Sequence, residues 1–117
     1  MNAIDKIYSN KVGISFFWKR EMRDAIPKVQ LVFRDIGFLL NLSELKDFSD
    51  FCAITMQSQC CADCKDPKNC RSLLLRTPSD KIDLAVSKDE LDQIQELINE
   101  TILKVELQNW IKGLCLN

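Results

Sequence analysis

Along the chain, apolar positions fall into short runs of β character and two longer stretches of helical spacing. Ile36 to Leu40 and Ile82 to Val86 are short, apolar and partly β-branched, as buried or half-buried strands are, and Val29 to Arg34 and Ser72 to Arg76 are strand candidates upstream of them. Leu45, Phe48, Phe51, Cys52 and Met56 make one apolar stripe at helical spacing; Leu91, Ile94, Leu97, Ile98, Thr101, Ile102 and Val105 make another. A start signal precedes each stripe. Asn41 stands three residues before Glu44, and Ser87 three before Glu90. That is capping-box spacing, in which the cap side chain takes a backbone N–H and the glutamate reaches back to the N–H of the cap.

The pattern predicts a strand, strand, helix unit over 29–57 and a second over 72–117, joined by a linker over 58–71 and preceded by a segment over 1–28. Laid over each other without a gap, the halves bring Ile36 onto Ile82, Glu44 onto Glu90, Leu45 onto Leu91 and Thr55 onto Thr101, which reads as an internal duplication. The expected fold is therefore a single α+β domain: two ββα units in tandem, their antiparallel sheet covered by two helices. Thr77-Pro78-Ser79-Asp80-Lys81 has clear turn chemistry between the later strands. The earlier joint, at Asp35, is so tight that 29–40 also reads as one long strand bent at Gly37.

The two ends of the chain are less regular. Val12, Ile14 and Phe16 alternate as in a strand over 11–18, whereas Phe17, Trp18, Glu21 and Met22 suit the first turns of a helix that Pro27 would end. The strand is the preferred reading. Beyond the repeat, Leu107, Trp110, Ile111 and Leu114 extend the apolar face of the second helix, with Gly113 as its expected stop. That face must be covered by the N-terminal segment or by another chain. Leu107, Trp110, Ile111 and Leu114 are accordingly the candidate interface for a homodimer or a protein partner.

Composition narrows the function classes. At 117 residues, 46% hydrophobic and 28% charged, the chain has the size and balance of one globular domain. It has no apolar run of the roughly 18–20 residues a membrane helix needs, and Met1-Asn2-Ala3-Ile4-Asp5-Lys6 lacks a basic segment followed by an apolar one. A cytoplasmic protein, neither exported nor membrane-spanning, is expected. Lys6, Lys11, Lys19, Arg20, Arg23, Lys28 and Arg34 make the first third basic, but Asp5, Glu21 and Asp24 are interleaved with them. A solvated face follows more naturally than a nucleic-acid surface.

The absence of histidine excludes Ser-His-Asp and Cys-His catalysis within the chain. Gly13, Gly37 and Gly113 are isolated, so no phosphate-cradling loop exists. Asp89, Glu90 and Asp92 open a helix, where carboxylates are favoured by the helix dipole whatever the protein does.

Cysteine carries the one candidate chemistry. Four of the six crowd the linker, in Cys60-Cys61-Ala62-Asp63-Cys64-Lys65-Asp66-Pro67-Lys68-Asn69-Cys70. Zinc takes four soft ligands in a tetrahedron; Cys61-x-x-Cys64 is the usual two-ligand turn, Cys70 a third, and Cys60, or alternatively Cys52, a fourth. A second C-x-x-C pair is missing. A disulfide is disfavoured by a reducing cytoplasm. A redox dithiol at Cys61 and Cys64 would want a helix starting there, against which Pro67 and Asn69 argue. A surface cluster of free thiols stays open beside these readings.

Cys70-Arg71-Ser72-Leu73-Leu74-Leu75-Arg76-Thr77-Pro78, with Ile82-Asp83-Leu84-Ala85-Val86-Ser87 and Glu90-Leu91, resembles a family of small bacterial proteins of undefined activity with a C-x-x-C element and paired strand-plus-helix units. The resemblance covers 29–105 and implies the repeated α+β layout and a cysteine pair near the strands. Here the cysteines sit in the mid-chain linker instead. The expected function is a non-enzymatic interaction or accessory module; the alternatives are a zinc-stabilised binding domain organised by the loop from Cys60 to Cys70, and a thiol redox protein.

Overall fold

Four strands, a helix, two strands and a second helix follow one another along the chain in a computed structural model that describes residues 3–19, 28–57 and 70–115, with side chains up to Lys112. The strands are β1 (Ile4–Ser9), β2 (Gly13–Trp18), β3 (Val29–Phe33) and β4 (Ile36–Leu40), then β5 (Leu73–Arg76) and β6 (Asp83–Val86). The helices are α1 (Leu42–Met56), after β4, and α2 (Lys88–Cys115), after β6. The protein is α+β. Among the described residues, no helix is long and apolar enough to cross a membrane.

β1 to β4 pair in chain order as an antiparallel meander, and β5 and β6 form a separate antiparallel hairpin. This corrects the expectation of one sheet beneath two helices: the element order strand, strand, helix does recur, but the later hairpin does not join the earlier sheet. Ser15 and Phe17 of β2, Val29, Leu31 and Phe33 of β3, and Phe38 and Leu40 of β4 point to the side on which both helices lie. The period of two along each strand puts these alternate residues on one face. Leu45, Phe48 and Cys52 of α1, Leu91, Ile94, Leu97, Ile98 and Val105 of α2, and Leu73, Leu75 and Val86 of the hairpin complete the core. Phe48 sits at its centre, with ring centroids 5.5 Å from Phe38 and 6.1 Å from Phe33. Burying each such ring stabilises the fold by about 1.5–3 kcal/mol.

Both capping boxes form. Asn41 Oδ1 accepts from the Glu44 N–H at 2.8 Å and Glu44 Oε1 from the Asn41 N–H at 3.0 Å. Ser87 Oγ accepts from the Glu90 N–H at 3.1 Å while Glu90 Oε1 accepts from the Ser87 N–H at 3.0 Å. The helices run antiparallel, since the Ser49 hydroxyl donates to Asn99 Oδ1 at 2.6 Å and Lys46 pairs with Glu106 at 2.8 Å. At the contact between β2 and α2, the Thr101 hydroxyl donates to the Leu97 carbonyl at 2.6 Å, leaving its oxygen to accept from the buried Ser15 hydroxyl at 2.6 Å.

Residues 29–40 are two strands rather than one bent strand: Arg34-Asp35 is a two-residue turn between paired Phe33 and Ile36. Such turns require a positive φ, and Arg34 supplies it at 57°. Its guanidinium donates to the Ala85 carbonyl at 2.8 Å and lies 3.7 Å from Glu90, so tertiary contacts hold a residue that local preference would not choose. Thr77, at the end of β5, organises the next turn by donating to the Ile82 carbonyl at 2.6 Å and accepting from the Ser79 N–H at 3.2 Å.

The strand read over 11–18 is β2. It needs Gly13, because a Cβ there would lie 2.1 Å from the Val32 carbonyl oxygen. β1 has no counterpart in the sequence reading. Asp5 and Lys6 interrupt its apolar residues, and a register shift between Lys6 and Tyr8 breaks its alternation. Such a bulge puts successive residues out of phase.

Candidate interaction surfaces

α2 carries two apolar faces in succession. The first points to the core through Leu91, Ile94, Leu97, Ile98, Thr101 and Val105. At 100° per residue it would continue at 108, 109 and 112. Those positions hold Gln108, Asn109 and Lys112, all exposed. From residue 106 to 112 every position is exposed, so this part of the helix stands clear of the core.

The second apolar face is Leu103, Leu107, Trp110 and Ile111, exposed to 60%, 52%, 64% and 47%. Successive steps of 100° place it roughly opposite the core-facing residues. This corrects the expectation that these residues extend the core stripe: the apolar side changes over near Val105. Leu107 shares a shallow cleft with Lys6 and Ile7 of the N-terminal strands. Leu114 lies on α2, with its side chain outside the described residues. Leu103, Leu107, Trp110 and Leu114 follow each other at steps of four, three and four, which is the spacing of a coiled-coil seam.

Charged groups gather at the other end of α2, where they hold elements together. Glu90 accepts from Arg71 Nε and Nη2 at 2.9 Å each, besides its capping bond and the nearby Arg34. Partial burial acts to raise the Glu90 pKa, but the Arg71 bonds, the Ser87 amide and the positive charge of Arg34 outweigh it and hold the carboxyl below its ordinary value. Further along, Glu96 accepts from the Tyr8 hydroxyl at 2.9 Å and from Asn10 Nδ2 at 3.0 Å, while Asn10 also donates to the Gln93 carbonyl at 2.8 Å. These bonds from Asn10 and Tyr8 lower the Glu96 pKa; accepting from Tyr8 is also the main reason the tyrosine pKa is raised. A carboxylate committed to arginines or to a cap holds secondary structure rather than moving protons.

Of the cysteines singled out as zinc ligands, the described residues include Cys52 and Cys70. Cys60, Cys61 and Cys64 lie outside the described residues. Cys70 is half-buried just before β5. Cys52 is buried in the core beneath α1, and desolvation pushes its thiol up to about 12. It is therefore a protonated thiol at neutral pH. Among the described residues, no three cysteine, aspartate or glutamate side chains gather as a metal site. Compared with protein-family models, curated proteins and solved structures, the chain matches none.

Proposed function

We propose that the chain is a non-enzymatic interaction module that self-associates through the distal half of α2. The observation that carries this reading is the exposed seam of Leu103, Leu107, Trp110 and Ile111, on a helix whose described residues from 106 onward are all exposed. A helix end exposed all round gains nothing from the core that supports the rest of the domain, and isolated helical turns are marginal in water. Pairing the seam with the same seam of a second chain buries the large apolar side chains, and the four-three-four spacing of Leu103, Leu107, Trp110 and Leu114 along the sequence suits helix-on-helix packing.

Sedimentation equilibrium over a concentration series tests this. A species near twice the 13.5 kDa chain mass is expected, reverting to a single chain in Trp110→Ser. Residue 110 is exposed, so that variant should fold as the parent does. A parent chain that stays single at every concentration, or a Trp110→Ser protein that dimerises as well as the parent, would overturn self-association through this face.

A further inference from the structure

The outer edge of β4 and the turn between β5 and β6 border a groove between the sheet and the hairpin. A two-residue turn closes only on a hydrogen-bonded pair, here Phe33 with Ile36, and bonded and non-bonded pairs then alternate up the ladder. Ile36, Phe38 and Leu40 thus commit their backbone groups to β3. Gly37 and Leu39 send theirs the other way, where among the described residues no strand pairs with β4. On the hairpin, the Ala85 carbonyl accepts from Arg34 at 2.8 Å, so it points away from β5 and towards the β3–β4 turn. Asp83 shares that orientation through the strand period of two. Between β4 and the β5–β6 turn lies a cavity of about 440 Å³, with Gly37, Leu39 and Leu40 on one wall and Pro78, Ser79 and Ile82 on the other.

The two outer edges of the meander are treated differently. β1 carries Asp5, Lys6 and a bulge, the devices by which proteins keep foreign strands off an edge. β4, Ile36-Gly37-Phe38-Leu39-Leu40, carries no charge, no proline and no bulge. It also exposes Leu39 to 42%, and across the groove Ile82 is exposed to 40%.

We propose that this groove binds an extended apolar segment of a partner protein, which adds as a strand along β4. N–H and C=O groups at Gly37 and Leu39 that have no backbone partner among the described residues specify backbone, and Leu39 and Ile82 specify apolar side chains at alternate positions. A stretch of four or five residues, about 13–17 Å long, matches the length of β4. The edge of a second copy does not fit, because the β5–β6 hairpin stands where the other sheet would have to come. The proposal does not depend on the α2 seam.

The test begins with amide hydrogen exchange on the full chain, in which Gly37 and Leu39 should exchange fast while Ile36, Phe38 and Leu40 are protected. A phage-displayed random decapeptide library is then panned on the same protein. Enriched peptides, synthesised free, should slow exchange at Gly37 and Leu39 by about tenfold or more. Their binding should weaken about tenfold in Leu39→Lys, whose circular dichroism should match the parent, and on N-methylation of alternate peptide amides. Protection of Gly37 and Leu39 in the free chain, a library that yields no binder, or binders that leave both amides unprotected would each overturn the proposal.

Discussion

Replacing Thr101 by Val and Ser15 by Ala, singly and together, measures how the helix α2 is fastened to the sheet. The two hydroxyls are buried and 2.6 Å apart, but their alternatives are unequal. In Thr101→Val the side-chain volume is kept and the Ser15 hydroxyl is left with the Tyr8 carbonyl at 3.5 Å, too long for a good bond. A buried hydroxyl stranded in this way costs about 1–3 kcal/mol. In Ser15→Ala the Thr101 hydroxyl keeps the Leu97 carbonyl, so the loss is one net hydrogen bond, about 0.5–1.5 kcal/mol. The double variant strands nothing and should cost less than the sum of the singles by about 1 kcal/mol. Urea denaturation followed by circular dichroism reads all three, with unchanged slopes as the sign that only the folded state is affected. Thr101→Val alone should lower Tm by roughly 5–15 °C. Additive single effects, or a Ser15→Ala cost above that of Thr101→Val, would refute the reasoning.

Gly13→Ala should be among the most damaging small substitutions, costing about 3–5 kcal/mol, because the clash is with the Val32 backbone and cannot be relieved by rotating a side chain; a thermal melt within a few degrees of the parent would contradict it. Glu90 has a folded-state pKa below its ordinary value, so the stability it contributes is present above the ordinary glutamate pKa and is lost as pH falls through the lower folded value. Glu90→Gln should accordingly flatten the acid limb of a stability–pH curve, and an unchanged limb would show that other carboxyls carry it. Cys52, with its thiol pushed up to about 12, should resist alkylation in the native protein and react only as the chain unfolds; rapid labelling mapped to Cys52 at neutral pH would show that the core opens there.

Both helix starts were legible because a capping box is a local device: Asn41 with Glu44, and Ser87 with Glu90, satisfy N–H groups within three residues and need nothing from the rest of the fold. β3 to β6 were legible for a related reason, since short apolar runs bounded by turn residues have few other uses. β1 escaped detection because its bulge breaks the period on which a strand is recognised. The end of α2 also went unread: Gly113 was expected to stop the helix, yet it continues to Cys115. A lone glycine weakens a helix by only about 1 kcal/mol and does not by itself end one.

Of the candidate sites, the residues of the α2 seam were visible as apolar positions, but the direction they face was not. A stripe can be counted along a chain, whereas its rotation away from the core shows only once Val105 is seen to be buried and Gln108, Asn109 and Lys112 exposed. Residue type alone made Cys52 a candidate ligand, and its place in the core beneath α1 shows only in the structure. The groove beside β4 had no signal at all. It arises between elements some forty residues apart, through an arginine on one turn that reaches the carbonyl of a strand in another hairpin.

By itself, then, the sequence determined the class of the protein, the helix starts, most strands and the greater part of the core, since these follow from periods of two and 3.6 residues and from hydrogen bonds to near neighbours. Tertiary structure decided that the described strands divide into two sheets, which edge of β4 has no strand beside it among the described residues and which side of α2 faces solvent. Those features depend on how rigid elements meet across the chain, and the residues that settle them, Arg34, Thr101 and Val105, act on partners that no local pattern names.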